Sequence, residues 1–270
     1  MRSYQVARDR PDSATIGAVD GYGPSTYGDA FADVYDEWYE GSPAAGDART
    51  AVATIADLAG NGAVLELGVG SGRLAVPLAA RGVPTWGIDA SAAMLERLRA
   101  RPGGAAVRAA LGDMAEPRAA LGEEAPAFAV VVAAFNTFFL LAAEDAQRRC
   151  LEASAALLAD DGVVVVECFV PAEPPAAAEH VLEPRRIALD HVVLTISDHR
   201  PTDQTVIGQH VELRESGIRL RPWMLRYLTP AQLDELATGV GLQLRARWAG
   251  WDRTRFDEES AVHVSVYGRR

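Results

Sequence analysis

Lysine is absent from this chain of 270 residues: all 26 basic side chains are arginine, set against 37 acidic ones, for a formal charge of −11. Without a basic block to displace counterions, a duplex-binding role is disfavoured and no nucleic-acid partner is expected. Cysteine is scarce as well. Cys150 and Cys168 are too few for a disulfide framework or a zinc pattern, both fall in apolar surroundings, and no metal site is expected. No positive-then-apolar leader opens the sequence. The stretch poorest in polar groups, Ala125 to Ala143, is interrupted by Pro126, Asn136 and Thr137, and divides into a strand and a loop rather than a membrane helix. Glycine and proline, 24 and 15 residues, fall short of a low-complexity composition. The chain reads as a cytoplasmic globular protein with one large domain, or one domain carrying an insertion, and no membrane partner.

Residues 1–24 lack periodicity and are expected to form a mobile tail. From there to residue 45, aromatic side chains recur at helical spacing: Tyr27, Phe31, Tyr35, Trp38 and Tyr39, with Val34 among them. An amphipathic helix serving as a lid is expected. Strand and helix patterns then alternate: strand Ala63–Leu67, helix Arg73–Arg81 with a kink at Pro77, strand Thr85–Ile88 and helix Ala92–Arg101. Strands Ala105–Ala109 and Phe128–Ala134, helix Asp145–Ala159 and strand Val163–Phe169 follow. The strands are short apolar runs without alternation, as in a parallel sheet covered on both faces. This rhythm predicts a doubly wound, Rossmann-like α/β sheet over residues 46–170 and 228–270.

Between them, residues 171–227 change character. Three alternating segments, about Ile187–Ser197, Thr205–Arg214 and Ile218–Tyr227, are separated by turn residues and predict an inserted antiparallel meander. Thr229 followed by Pro230 reads as a cap and first helical position, for a helix to about Thr238. Two strands, about Leu242–Ala249 and Val262–Tyr267, would close the chain as a hairpin at the sheet edge.

The central motif is Glu66-Leu67-Gly68-Val69-Gly70-Ser71-Gly72, at the end of the first strand and opening a helix. Glycine lets the backbone turn sharply there and approach a ligand closely. Gly70 to Ala75 also fits the dinucleotide fingerprint, with Asp89 as the ribose acid, so glycine spacing alone leaves a dehydrogenase open. Three features favour another reading: the carboxylate of Glu66, suited to a cationic amino-acid moiety; Gly112-Asp113-Met114 after the third strand, suited to an adenine amine and ring; and the terminal strand pair.

On these residues the chain resembles the class I S-adenosylmethionine-dependent methyltransferases, over about Tyr27 to Tyr267. The Tyr27–Tyr39 leader, Asn136-Thr137-Phe138-Phe139 and the meander make it similar to the small-molecule and peptide-amine N-methyltransferases of bacterial natural-product pathways. The resemblance implies S-adenosylmethionine as cofactor, with Glu66 and Gly68 at its methionine end, Gly70 and Gly72 in the loop, Asp89 on the ribose, and Asp113 and Met114 on adenine. It also implies Tyr27, Tyr35, Met94 and Phe135 beside the cofactor.

Methyl transfer needs an aligned, deprotonated nucleophile, and a positioned base helps modestly. His199, read as lying in the turn Asp198–Asp203, is the first candidate base, ahead of His180, His191, His210 and His263; Asn136 would orient an amine through its carbonyl oxygen. Trp38, Tyr39, Phe138, Phe139, Phe169 and Arg226 are candidates to hold the acceptor, and aromatic walls would also favour a sulfonium. The expected reaction is methylation of an amine nitrogen of a small or peptidic natural product. Alternatives are O-methylation of a hydroxyl, and a cofactor-binding relative that transfers nothing. The meander's outward apolar positions, Val192, Leu194, Ile196, Val206 and Ile218, suggest acceptor selection and a homodimer contact.

Overall fold

The computed structural model describes residues 21–39, 47–172 and 179–270. The expected mobile tail therefore lies almost wholly outside the described residues, as do the end of the lid segment and most of the proline-rich stretch after Pro171. Seven strands form one sheet, in the order β10 (Leu242–Trp248), β11 (Val262–Arg269), β5 (Leu158–Phe169), β4 (Phe128–Ala133), β1 (Ala63–Leu67), β2 (Thr85–Asp89) and β3 (Arg108–Leu111), and four further strands form a second, paired in chain order.

In the larger sheet β1 (Ala63–Leu67), β2 (Thr85–Asp89), β3 (Arg108–Leu111), β4 (Phe128–Ala133) and β5 (Leu158–Phe169) are mutually parallel. The hairpin of β10 (Leu242–Trp248) and β11 (Val262–Arg269) joins antiparallel to β5. Alternation within the buried runs feeds two cores. Val64, Val130, Val132 and Val165 meet Val52 and Ile55 of α3 (Ala48–Ala59) and Leu78 of α4 (Ala75–Ala80). Leu65, Leu67, Val131 and Val166 meet Leu151 of α7 (Glu144–Leu157) and Leu233 of α8 (Pro230–Gly239). Burial on both faces is why these strands read as unbroken apolar runs.

Several boundaries differ from the sequence reading. The N-terminal stripe forms two short helices, α1 (Thr26–Phe31) and α2 (Tyr35–Tyr39), not one. Helix α4 begins only at Ala75, so Pro77 sits in its first turn, where no intrahelical acceptor is lost, and the kink has no cause. Two helices were not anticipated: α3, capped by Asp47 on the Arg49 amide, and the short α6 (Pro117–Leu121). Helix α5 (Ala92–Ala100) follows β2 as expected.

The meander has four strands, β6 (Glu179–Ile187), β7 (His191–Arg200), β8 (Thr205–Arg214) and β9 (Gly217–Arg226). Pro184 disguises β6, but an edge strand tolerates proline because its outer amides need no ladder partner. Pro222 lies likewise on the other edge strand, β9. Strand β7 runs through Arg200, so His199 is a strand residue opposite Val206, not a turn residue. No helix among the described residues is long and apolar enough to cross a membrane.

Candidate active site

Strand order reverses where β1 lies between β4 and β2, and the crevice beyond the carboxyl ends of such strands is where open α/β sheets bind ligands. A cavity of about 380 Å³ occupies that place. The loop after β1 supplies Gly68 and Gly70, β2 supplies Ile88 and Asp89, and the segment after β3 supplies Gly112, Asp113 and Met114. Tyr22, Tyr27 and Tyr35 line it from the N-terminal segment, with Met94, Thr137, Leu141 and Met224 also in the wall.

The loop conformation explains its glycines. Gly68 has φ +65° and lies so close to Thr137 that an added Cβ would come within 2.4 Å of the threonine methyl. Gly70, at φ +54°, faces open space. Both geometries disfavour any other residue.

The acids are held differently. Glu66 is buried at 5% exposure, and burial pushes its carboxyl up to about 8 despite the pull of Arg73. The Ala75 amide donates to it, yet its Oε2 finds no hydrogen-bond partner among the described residues. An orphaned buried carboxylate oxygen is costly and fits a cationic ligand group. Asp89 accepts the Gly70 amide and the Ser91 amide, each at 2.8 Å. Burial raises its carboxyl above the usual aspartate range, while those two amides draw it down. Asp113 accepts the Ala115 amide at 2.8 Å and lines the cavity.

The N-terminal helices are tied across this cavity. Ser91 Oγ donates to Asp29 at 2.6 Å, Asp36 accepts from Ser71 and pairs with Arg101 at 2.9 Å, and Arg221 grips Asp33 through two nitrogens at 2.6 and 3.0 Å. Phe31 is fully buried, stacked on Tyr27 at 4.4 Å and edge-on to His210. Tyr35 packs on Tyr39 at 4.9 Å, and Tyr39 lies edge-on to Phe135 at 5.5 Å. Burial raises the Tyr27 and Tyr35 phenols above their ordinary value, so both are neutral donors at neutral pH.

Of the residues singled out by sequence, Tyr27, Tyr35, Gly68, Gly70, Asp89, Met94, Asp113 and Met114 line one cavity. Others are placed elsewhere. Phe138 and Phe139 are core residues, 1% and 0% exposed, because the short helical turn after β4 folds them under the sheet. Asn136 accepts the Phe169 amide at 2.7 Å through its carbonyl oxygen and does not line the cavity, unlike the amine-orienting role expected of it. Arg226 is engaged by Gln147 and Glu144 at 2.6 and 2.8 Å. His199 reaches the Tyr227 hydroxyl at 2.8 Å, and neither lines the cavity. Trp38 lies on Phe31 and His210, beneath Arg185 and Arg221. Sequence reasoning missed Tyr22, Thr137 and Arg73. Tyr22 carries no motif, Thr137 stands between Asn136 and Phe138 but was given no role there, and Arg73, beside Glu66 and 5.3 Å from the Phe135 ring, reads in sequence as the first residue of a helix. His180 is exposed beside Asp198, and His263 is fully buried on Ser265.

A glycine loop at the switch point, acids at three successive strand ends and a hairpin-edged sheet define a nucleoside-binding transferase rather than a dinucleotide oxidoreductase. The comparisons agree. A family model described as a methyltransferase domain matches residues 64–162. The CcbJ methyltransferase of Streptomyces caelestis is 41% identical and superposes with a TM-score of 0.82, covering 92% of this chain and 99% of that one. The chain belongs to the S-adenosylmethionine-dependent methyltransferases, and S-adenosylmethionine is its cofactor. Two more distant structures share the fold. CalS10 of Micromonospora echinaspora, an amino pentose methyltransferase with bound S-adenosylmethionine, is 22% identical with a TM-score of 0.64, over 88% of this chain and 97% of its own. The sugar N-methyltransferase KedS8 of Streptoalloteichus is 17% identical with a TM-score of 0.64, over 95% and 99%. No curated protein matches significantly.

Proposed function

We propose that this enzyme methylates an amine nitrogen of a small or peptidic natural product. The observation that carries the reading is the chemistry of the cavity wall: its tyrosines are neutral phenols, and among the described residues no histidine lines it. An amine, once its proton has gone to water, is already a nucleophile, whereas an alcohol needs a base at the site. Among the structural relatives, the amino pentose methyltransferase CalS10 and the sugar N-methyltransferase KedS8 support the same class.

When bound, S-adenosylmethionine supplies an electrophilic methyl group whose thioether leaves on displacement. The chain's own residues bind and orient. Glu66, with its unpartnered Oε2, and Gly68 hold the methionine end; Asp89 accepts from the ribose hydroxyls through charge-assisted bonds; Asp113 accepts from the adenine amine, with Met94 and Met114 against the ring. Tyr27, Tyr35 and Phe135 wall the reacting centre, where their rings favour positive charge. Tyr39, packed on Tyr35 of the cavity wall, borders the acceptor. Proximity and exclusion of water do the rest, effects worth up to ~7–11 kcal/mol in favourable cases. The exposed meander face bearing Leu182, Ile196, Ile218 and Leu220 supports pairing with a second copy.

The test is transfer of an isotopically labelled methyl group to a panel of aminated and hydroxylated natural products, read by mass spectrometry with location of the label. Label on nitrogen is expected. Label found on oxygen alone, with amines untouched, overturns the nitrogen assignment.

A further inference from the structure

Two consecutive non-glycine residues, Phe135 at φ +52° and Asn136 at φ +63°, follow β4 in the left-handed region. L-residues adopt that region at a cost, and a pair of them persists only where surrounding contacts over-determine the turn. Those contacts converge on one residue of β5. The carboxylate of Glu167, 9% exposed, accepts the Phe135 amide through Oε2 at 2.6 Å and the Trp251 indole N–H through Oε1 at 2.7 Å. The carbonyl of Glu167 accepts the Asn136 amide at 3.0 Å, and Asn136 Oδ1 returns to the Phe169 amide at 2.7 Å. The turn is thus stapled to the end of β5 on three sides.

What the staple positions is the cavity wall. Thr137, next in the chain, packs against Gly68 so closely that a Cβ there would collide with its methyl, and it lines the cavity. Phe135 is held between Tyr39 at 5.5 Å and Arg73 at 5.3 Å. Glu167 itself does not line the cavity. Its charge lies buried inside the sheet end, which a purely structural strand residue does not need: every neighbour of Glu167 on β5, from Val163 to Cys168, is apolar.

We propose that Glu167 is a positioning residue for methyl transfer: through the Phe135 amide it fixes the left-handed turn that sets Phe135 and Thr137 against the glycine loop. This rests on the reading of that cavity as the cofactor site. The carboxylate is needed because both groups it faces are donors. A glutamine would offer one acceptor and turn its own N–H groups toward the second donor. Trp251 tethers the staple from behind, its own carbonyl accepting from Thr54 of α3 at 2.6 Å.

The experiment compares Glu167→Gln with Trp251→Phe in the full chain, with S-adenosylhomocysteine as probe. Calorimetry gives its affinity, thermal melting gives stability, and amide NMR gives the Phe135 proton, which a short bond to a carboxylate shifts downfield. Glu167→Gln is expected to weaken S-adenosylhomocysteine about tenfold, about the loss of one net hydrogen bond, and to move the Phe135 amide proton upfield. Trp251→Phe is expected to lower the melting temperature while leaving affinity within about twofold and the Phe135 signal in place, since that bond remains. Affinity within twofold in both variants, or equal loss in both, overturns the proposal. If Glu167→Gln does not fold, Glu167→Asp, which keeps the charge and shortens the reach, is read the same way. Failure of the unaltered protein to bind S-adenosylhomocysteine strikes at the cofactor-site reading instead.

Discussion

The Asp89 carboxylate accepts the Gly70 amide at 2.8 Å, so the acid ending β2 closes the loop that ends β1. A second bond, from the Ser91 amide, fixes the same carboxylate at the start of α5. One side chain therefore shapes the cradle and faces the cavity that the cradle forms.

Asp89→Ala removes both functions. Loss of a charged hydrogen-bond partner is expected to weaken S-adenosylhomocysteine by ~1.5–3 kcal/mol, measured by calorimetry. Gly70 and Ser91 should also lose amide protection in hydrogen exchange without ligand. Unchanged affinity would remove Asp89 from the cofactor site.

Glu66, proposed to meet the cofactor ammonium, is expected to make cofactor binding a proton-linked event. With its carboxyl raised to about 8 it is mostly protonated in the empty site at pH 7, and a cofactor ammonium would favour the carboxylate. Binding at pH 7 is expected to release about one proton, seen as a dependence of calorimetric enthalpy on buffer ionisation heat, and Glu66→Gln should abolish it. The sign for stability follows from the same shift. A carboxyl whose folded value lies above its unfolded 4.5 contributes stability fully below pH 4.5, and loses it as pH rises through about 8. Glu66→Gln should therefore melt higher than the unaltered empty enzyme at pH 8.5.

Arg221, 1% exposed in its side chain, joins Asp33 of the N-terminal segment to Glu212 of the meander. Without Arg221, Glu212 keeps Arg214 at 2.6 Å and the partly exposed Asp33 keeps Arg219 at 2.9 Å, so Arg221→Met should cost about 1–3 kcal/mol in urea unfolding, the range for lost hydrogen bonds to charged groups. Amide exchange over Thr26–Tyr39 should accelerate in the same variant. In the unaltered enzyme, exchange there should slow when S-adenosylhomocysteine is added, as for a lid closing on its ligand. Identical exchange with and without ligand would make the segment ordinary core.

Acid should unfold the protein from an unusually early onset. Burial lowers His210 and His263 to about 4 from an unfolded 6.5. Their contribution is intact above pH 6.5 and is lost as pH falls toward 4, because the unfolded chain takes up protons the folded one excludes. Melting temperature should begin to drop near pH 6.5, above the carboxylate range, and His263→Gln should make that drop shallower.

The sequence by itself carried the α/β alternation, the terminal hairpin and the glycine loop with its three acids. Each is written in local pattern: unbroken apolar runs where both faces are buried, glycine where φ is positive, an acid where a strand ends. It could not carry which aromatic groups face the cavity. Phe138 and Phe139 have the same composition as wall residues, and only the turn fixed at Phe135 and Asn136 sends them into the core. It also assigned Asn136 a ligand role, whereas its carbonyl oxygen receives the Phe169 amide, 33 residues away, and the residue does not line the cavity. Glu167 was hidden for the complementary reason. A single acid within Val163–Phe169 looks like an interruption of a strand until the Phe135 amide and the Trp251 indole, brought from distant parts of the chain, converge on it. Hydrogen bonds between residues far apart in sequence have no local signature, and tertiary packing alone decides them.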